Sequence, residues 1–299
     1  MTAGKVYIVP TPIGNLDDMT FRAVRVLKEV DRILAEDTRH TRIVCTHYGI
    51  DTPLTSFNDH NAARRLPGLL QAVRQGARLA LVTDAGTPGI SDPGGPLIRA
   101  VVAEQMAMEV LPGASAVVTA LSGSGLPLDR FVFEGFLPKK GRERTDRLTR
   151  MAAEERTVVL FESPMRLVTT LTALQQTGCG QRPAVVAREM TKLFETWHRG
   201  TVSELADWFQ THPPRGEIVL LMQGRAADTD SPARSEALLA HLLAEGQGMR
   251  TATRAAARQT GLPRTLLYKM ALAKKAEQTK SDTPEQPHDG PPDPDGNRP

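Results

Sequence analysis

Short, continuous apolar runs alternate with longer stretches in which apolar residues return every third or fourth position, and this alternation holds from residue 5 to about residue 223. Short β-rich runs predict strands, and the longer periodic stretches predict amphipathic helices. Strands are expected at 6–9, 32–35, 78–83 and 107–111, with helices at 20–30, 61–75 and 96–104. Thr20 stands where an N-cap belongs. A small-residue apolar helix is expected over 117–121.

Ser122-Gly123-Ser124-Gly125-Leu126-Pro127 reads as a linker, after which the alternation restarts. Strands are expected at 131–136, 157–161, 184–188, 196–201 and 217–222, the fourth forming a hairpin with the third. A basic helix running through Arg150, a helix to Gln176 and a helix from Ser203 lie between them. Residues 234–275 carry no strand pattern and are rich in Ala, Leu and Arg, with Gly261-Leu262-Pro263 punctuating two helices at 251–260 and 264–275. Apolar Leu266 and Leu267 suit the second of these to packing on the body of the protein. The division expected is an α/β domain over 1–125, a second α/β domain over 126–228, a helix-turn-helix-like appendage over 229–275, and a disordered, acidic, proline-rich tail over 276–299.

Charge sharpens that division. The formal net charge is only +3, but the helical segment 234–275 is strongly basic and the tail acidic. A basic block beside a balanced core suits a polyanionic partner. Cys45 and Cys179 stand far apart with no CxxC spacing, which excludes a zinc ribbon or a disulfide scaffold, and the scattered histidines give no metal site. No signal-peptide pattern and no membrane-length apolar run is present, so the expected location is the cytoplasm.

Three loops that follow strands concentrate glycine, proline and hydroxyl residues: Val9-Pro10-Thr11-Pro12-Ile13-Gly14-Asn15-Leu16, the stretch 84–94 (Asp-Ala-Gly-Thr-Pro-Gly-Ile-Ser-Asp-Pro-Gly), and Pro112-Gly113-Ala114-Ser115-Ala116. Loops at the carboxyl ends of strands are where α/β sheets bind ligands, and glycine lets backbone approach them closely. None is a Walker A loop or a GxGxxG turn, and no HExxH, DFG or GxSxG pattern occurs. Such turns suit a neutral or zwitterionic adenosyl ligand better than a triphosphate.

These three loops resemble the N-terminal motifs of the tetrapyrrole-methylase-like class of S-adenosylmethionine-dependent methyltransferases. Within that class, the segments 35–42 (AEDTRHTR), 56–61 (SFNDHN), 133–138 (FEGFLP), 161–166 (FESPMR) and 188–195 (REMTKLFE) are similar to the branch that methylates small-subunit ribosomal RNA on a cytidine 2′-oxygen at the decoding centre. The resemblance runs from about residue 5 to 275 and departs at Met165, where that branch usually has His. It implies two α/β domains with S-adenosyl-L-methionine in the cleft between them, and a homodimer. It points to Pro12, Asp84, Gly86, Thr87, Ile90, Ser115, Ala116, Ala187 and Ile218 for the methyl donor.

For RNA, Arg39, His40 and Arg42 form one polar turn, and Lys139, Lys140, Arg142 and Arg144 another, suited to phosphate. His60 and Asn61 suit a base edge or ribose, and Arg254 and Arg258 lead a second contact on the appendage. Glu189, Lys192 and Asp37 are the candidates for handling the proton of the 2′-hydroxyl. Two rival readings share parts of the pattern: a methylase of a corrinoid or porphyrin precursor, and a non-catalytic ribosome-binding protein. The basic appendage speaks against the first.

Overall fold

The computed structural model describes residues 4–226, 232–260 and 262–281, excepting the side chains of 232–234, 258–259 and 274–281. Contacts divide the chain into a unit Met1–Arg225 and a unit Ala226–Pro299.

In the first unit, strands β1 (Lys5–Ile8), β2 (Arg32–Ala35), β3 (Leu54–Ser56), β4 (Arg78–Val82) and β5 (Met108–Val110) form a sheet of order β3-β2-β4-β1-β5. Every pair in it is parallel. Helices α1 (Phe21–Glu29), α2 (Thr38–Tyr48), α3 (Ala62–Arg74) and α4 (Gly95–Ala103) supply the crossovers. Alternate strand residues go to opposite faces. Val6, Ile8, Leu34, Leu79 and Leu81 pack with Leu69, Leu70 and Leu97 from α3 and α4, whereas Ile33, Ala35, Ala80 and Val82 pack with Val26, Leu27 and Val44 from α1 and α2. Burial on both faces explains why these strands read as continuous apolar runs. Thr20 does cap α1, its hydroxyl accepting from the Ala23 amide. The segment read as a polar turn at 39–42 is the first part of α2, with Asp37 as N-cap and Gly49 closing it in the left-handed region.

The second sheet has the order β6-β7-β10-β8-β9, from β6 (Phe131–Phe136), β7 (Thr157–Glu162), β8 (Pro183–Arg188), β9 (Thr196–Thr201) and β10 (Ile218–Met222). The expected hairpin is present as β8 and β9, and β10 runs antiparallel to both its neighbours. Helices α6 (Arg142–Ala153), α7 (Pro164–Leu174) and α8 (Val202–Thr211) cover one face, burying Leu148, Leu171 and Leu205 on Leu160, Val186 and Leu220.

The other face takes α5 (Ala116–Ser124), whose Val117, Ala120 and Leu121 pack on Val159, Val185, Ala187 and Val219. The stretch read as a linker therefore starts late: residues 122–124 are helical, and the helix ends at Gly125 with φ +76°. Gly123 is there for closeness, since a Cβ on it would stand 2.5 Å from Cη2 of Trp197 on β9.

The unit Ala226–Pro299 holds three helices among its described residues, α9 (Pro232–Ala244), α10 (Met249–Thr260) and α11 (Arg264–Ser281). Leu239, Leu242, Ala252, Ala256, Leu267 and Ala271 form its own core. Leu267 thus packs against α9 and α10, and α9 is the partner the sequence pattern does not single out. The last helix reaches Ser281; residues 282–299, most of the expected tail, lie outside the described residues.

Candidate functional site

The loops leaving β1, β4 and β5 are tied to one another. Thr11 and Gly86 exchange two backbone hydrogen bonds of 2.9 Å, the Thr11 hydroxyl donates to the Thr83 carbonyl at 3.0 Å, and the Thr87 hydroxyl donates to the Ala114 carbonyl at 3.0 Å. Gly86 has φ +80°, and a Cβ there would stand 3.3 Å from Ile13. Only glycine meets both demands without strain.

These loops form one side of a cavity of about 400 Å³. Ile13, Gly86, Thr87, Ile90, Ser115 and Ala116 line it from this side, and Phe136, Phe161, Pro164, Met190 and Ile218 from the second sheet and its loops. The size and mainly apolar walls are those of a small-molecule site. Ser115 precedes α5 without a side-chain capping bond.

Of the expected donor-binding residues, Gly86, Thr87, Ile90, Ser115, Ala116 and Ile218 line the cavity. Pro12 is buried in the loop beside Thr11. Ala187 is wholly buried among Val117, Met190 and Val219 and is not among the lining residues. Asp84 looks towards α2: its Oδ1 accepts from the Asp37 amide and its Oδ2 meets His40 Nδ1, both at 3.0 Å. The hydrogen bond to Asp84 raises the pKa of His40.

The three proton-handling candidates sit in ion pairs. Hydrogen bonds from Arg39 hold the Asp37 carboxyl at about 2. Glu189, with φ +52°, accepts from the Glu217 amide at 2.8 Å and from Lys192 Nζ at 3.0 Å, and Lys192 also stands 3.1 Å from Glu217. The Glu217 amide bond is the main cause of the lowered pKa of Glu189. Desolvation is the largest single influence on Lys192 and pulls its pKa down, but the hydrogen bonds and charges of Glu189 and Glu217 together outweigh it, and the net direction is up. This segment closes on the β1 loop, where a Cβ on Gly14 would stand 2.5 Å from Cγ of Lys192.

Asp92 lies within the second loop, is not singled out by the sequence, and lines the cavity. Its pKa is pushed up to about 7, first by burial and then by the charges of Glu36 and Asp84. Burial also raises Glu36. No sequence signal separates Asp92 from Asp84, since both are aspartates in the same glycine- and proline-rich loop. The fold places Asp92 among the cavity-lining residues and bonds Asp84 to α2. Phe136, Phe161 and Met190 likewise escape a reading of the sequence, because an apolar residue at a strand end reads as core.

Among the RNA candidates, Arg39 is tied to Asp37 at 2.5 Å, while Arg42 shares an open groove with Leu16, Ile43 and His47. His60 is exposed. Asn61 is engaged within its own loop, accepting from the Asn58 amide at 3.0 Å and donating to the Ser56 hydroxyl at 3.1 Å. Lys139 and Lys140 are exposed, and Arg142 stands 3.6 Å from Asp146. Arg254 is exposed on α10; the side chain of Arg258 lies outside the described residues. Among the described residues no group of His, Cys, Asp and Glu is arranged to hold a metal ion, and no helix is long and apolar enough to cross a membrane.

Residues 5–206 match the family model of the Tetrapyrrole (Corrin/Porphyrin) Methylases. Over 278 residues the chain is 46% identical to the ribosomal RNA small subunit methyltransferase I of Synechocystis sp., covering 92% of this chain and 99% of that one. It is 44% identical over 272 residues to the protein of the same name from Escherichia coli O157:H7, covering 90% and 95%. Among solved structures, a cobalt precorrin-4 methyltransferase superposes with a TM-score of 0.58 at 20% identity, covering 73% of this chain and 94% of that one. The uroporphyrin-III C-methyltransferase of Thermus thermophilus, complexed with S-adenyl homocysteine, gives 0.54 at 18% identity, covering 74% and 97%. Likeness at that level extends to the fold.

Proposed function

Because the chain belongs to the tetrapyrrole methylase family, and within it to the ribosomal RNA small subunit methyltransferases I, we propose that it methylates the ribose 2′-oxygen of a cytidine at the decoding centre of small-subunit ribosomal RNA, with S-adenosyl-L-methionine as donor. The observation that carries the reading is the cavity itself. Its walls are apolar, its floor is backbone drawn close by Gly86, and Asp92, whose pKa is pushed up to about 7, is among its lining residues.

The donor fits this cavity. Ile90 and Ile13 offer apolar contact for an adenosyl group, the Thr87–Ala114 bond fixes two loops around it, and Ser115 offers a hydroxyl. When bound, the sulfonium supplies an electrophilic methyl group. The residues of the chain must then align the 2′-oxygen with it, and alignment of this kind can supply about 7–11 kcal/mol of a barrier. Phe136, Phe161 and Met190 give the cavity an apolar wall on the side of the second sheet. Asp92 takes the proton of the 2′-hydroxyl, since Asp37, Glu189 and Lys192 are each held by a charged partner of opposite sign and, among the described residues, Asp92 is not. Arg42, Lys139, Lys140 and the basic appendage hold the RNA through phosphates. Pairing as a homodimer completes the reading; a monomer mass by light scattering at micromolar concentration would count against that part alone.

The test offers labelled S-adenosylmethionine together with naked small-subunit RNA, assembled small subunits and tetrapyrrole precursors. Label in RNA is the expected result. Label only in a tetrapyrrole would overturn the substrate, and no transfer together with no heat of donor binding would overturn the enzyme.

A further inference from the structure

The basic segment that follows β6 divides into two kinds of cation. Arg144 and Arg166 turn inward. Arg144 donates to the Pro138 carbonyl at 3.2 Å and to the Thr170 hydroxyl at 2.9 Å, and Arg166 donates to the Leu137 carbonyl at 2.8 Å. Both lead to Glu162, whose side chain has no exposed surface: Arg166 stands 3.3 Å from its Oε1, the Thr170 hydroxyl donates to the same oxygen, and the Ser163 amide donates to Oε2 at 2.9 Å. Desolvation lowers the pKa of Arg144, as expected for a guanidinium drawn into the protein. Lys139 and Lys140 are exposed instead, and among the described residues neither has an ion-pair partner.

The same network borders the methyl-transfer cavity. Glu162 and Ser163 line it from β7, and Phe136, directly before the pinned carbonyls, lines it from β6. Gly135, with φ +61°, lies against the second glycine-rich loop, where a Cβ would stand 3.3 Å from the Ser91 hydroxyl. The segment is thus pinned at Leu137 and Pro138, and it leads into the N-terminus of α6 at Gly141, which adds positive potential.

Building on the proposed reaction, we propose that residues 137–141 are a prepositioned phosphodiester-binding site beside the cavity, in which Lys139 and Lys140 hold an RNA phosphate next to the reacting ribose. Glu162 and Thr170 are positioning residues for this site. They act through Arg144 and Arg166, whose bonds to two backbone carbonyls set where the lysines stand. Single-stranded RNA suits it because the lysines grip the chain by charge without reading sequence.

Two sets of variants of the full chain test this. In K139A/K140A, the KM for RNA should rise about tenfold, with kcat and donor affinity little changed. The salt dependence of RNA binding should also become shallower by about 0.7 for each phosphate that the lysines cease to neutralise. Thr170→Val should raise the KM for RNA in the same way, and Thr170→Ser, which keeps the hydroxyl, should restore it. An unchanged KM in K139A/K140A would overturn the site. Failure of Thr170→Ser to restore KM, or equal losses of KM, kcat, donor affinity and melting temperature in Thr170→Val, would overturn the positioning role. Anisotropy of a labelled oligoribonucleotide and hydrogen exchange at the amides of 139–141 read site and positioning without turnover. If the native protein methylates no RNA but these two readouts shift as stated, the reaction fails and the site stands. If K139A/K140A instead loses binding to an acidic peptide and not to RNA, the phosphodiester assignment is wrong.

Discussion

Asp92 is under two opposed demands. Burial and the neighbouring Glu36 and Asp84 hold its pKa near 7, which leaves a base that is both ionised and basic enough to act around neutral pH. The ionised form is the active one, so kcat/KM should climb with pH below about 7 and level off above it, following the free enzyme's pKa. Asp92→Asn should lower kcat by about 10²–10⁴-fold and leave donor affinity little changed. The same shift costs stability. A carboxyl whose native pKa lies above its unfolded value gives up its proton first in the unfolded chain, so stability falls as pH rises from about 4 through about 7. Asp92→Asn should therefore melt higher than the native protein at pH 8, with the difference gone at pH 3. An unchanged rate in the variant would remove Asp92 from the mechanism. The sequence shows two aspartates in one glycine- and proline-rich loop, and only the fold tells them apart: Asp84 bonds to α2 and Asp92 is among the residues that line the cavity. Glu189 and Lys192 read as chemistry because they are polar residues after a buried strand, and the fold adds that they bond to each other and, through Lys192, to the cavity-lining Glu217.

Among the elements, the parallel strands of the first sheet are legible because burial on both faces makes them continuous apolar runs. The hairpin of β8 and β9 is legible from its spacing. What stays hidden is the full length of α5. Its small residues and glycine read as the end of a helix and a linker, but they let the helix lie against the second sheet. Gly123→Ala puts two effects in competition. Helix propensity favours alanine by about 1 kcal/mol, whereas crowding against Trp197 at 2.5 Å costs typically about 1–3 kcal/mol. Crowding should win, and the variant should unfold at lower denaturant. In a Trp197→Ala background the sign should reverse, giving a coupling between two touching sites. No coupling in that cycle would mean that α5 does not depend on its approach to Trp197.

At the scale of the whole molecule, the two compact units each have a core of their own. The sequence changes character near their boundary, since strand patterns stop near residue 223 and Ala, Leu and Arg take over. Among the described residues three helices make the second core; Pro232 and Gly246-Gln247-Gly248 bracket α9 in the sequence, but its share in that core is seen only in the fold. If the basic unit adds RNA contacts to those of the first unit, linking them multiplies affinity. Removing 226–299 should then weaken RNA methylation by about 10²-fold with donor binding preserved. Equal loss of both would make the unit a structural support.

The central claim, ribose 2′-O-methylation of small-subunit RNA, is tested most directly by locating the transferred methyl group. Small-subunit RNA labelled by the protein should give, on alkaline hydrolysis, an alkali-resistant dinucleotide carrying the label on cytidine, because a 2′-O-methyl group blocks cleavage at the adjoining phosphate. Label recovered on a base, in mononucleotides cleaved as usual, would contradict the account.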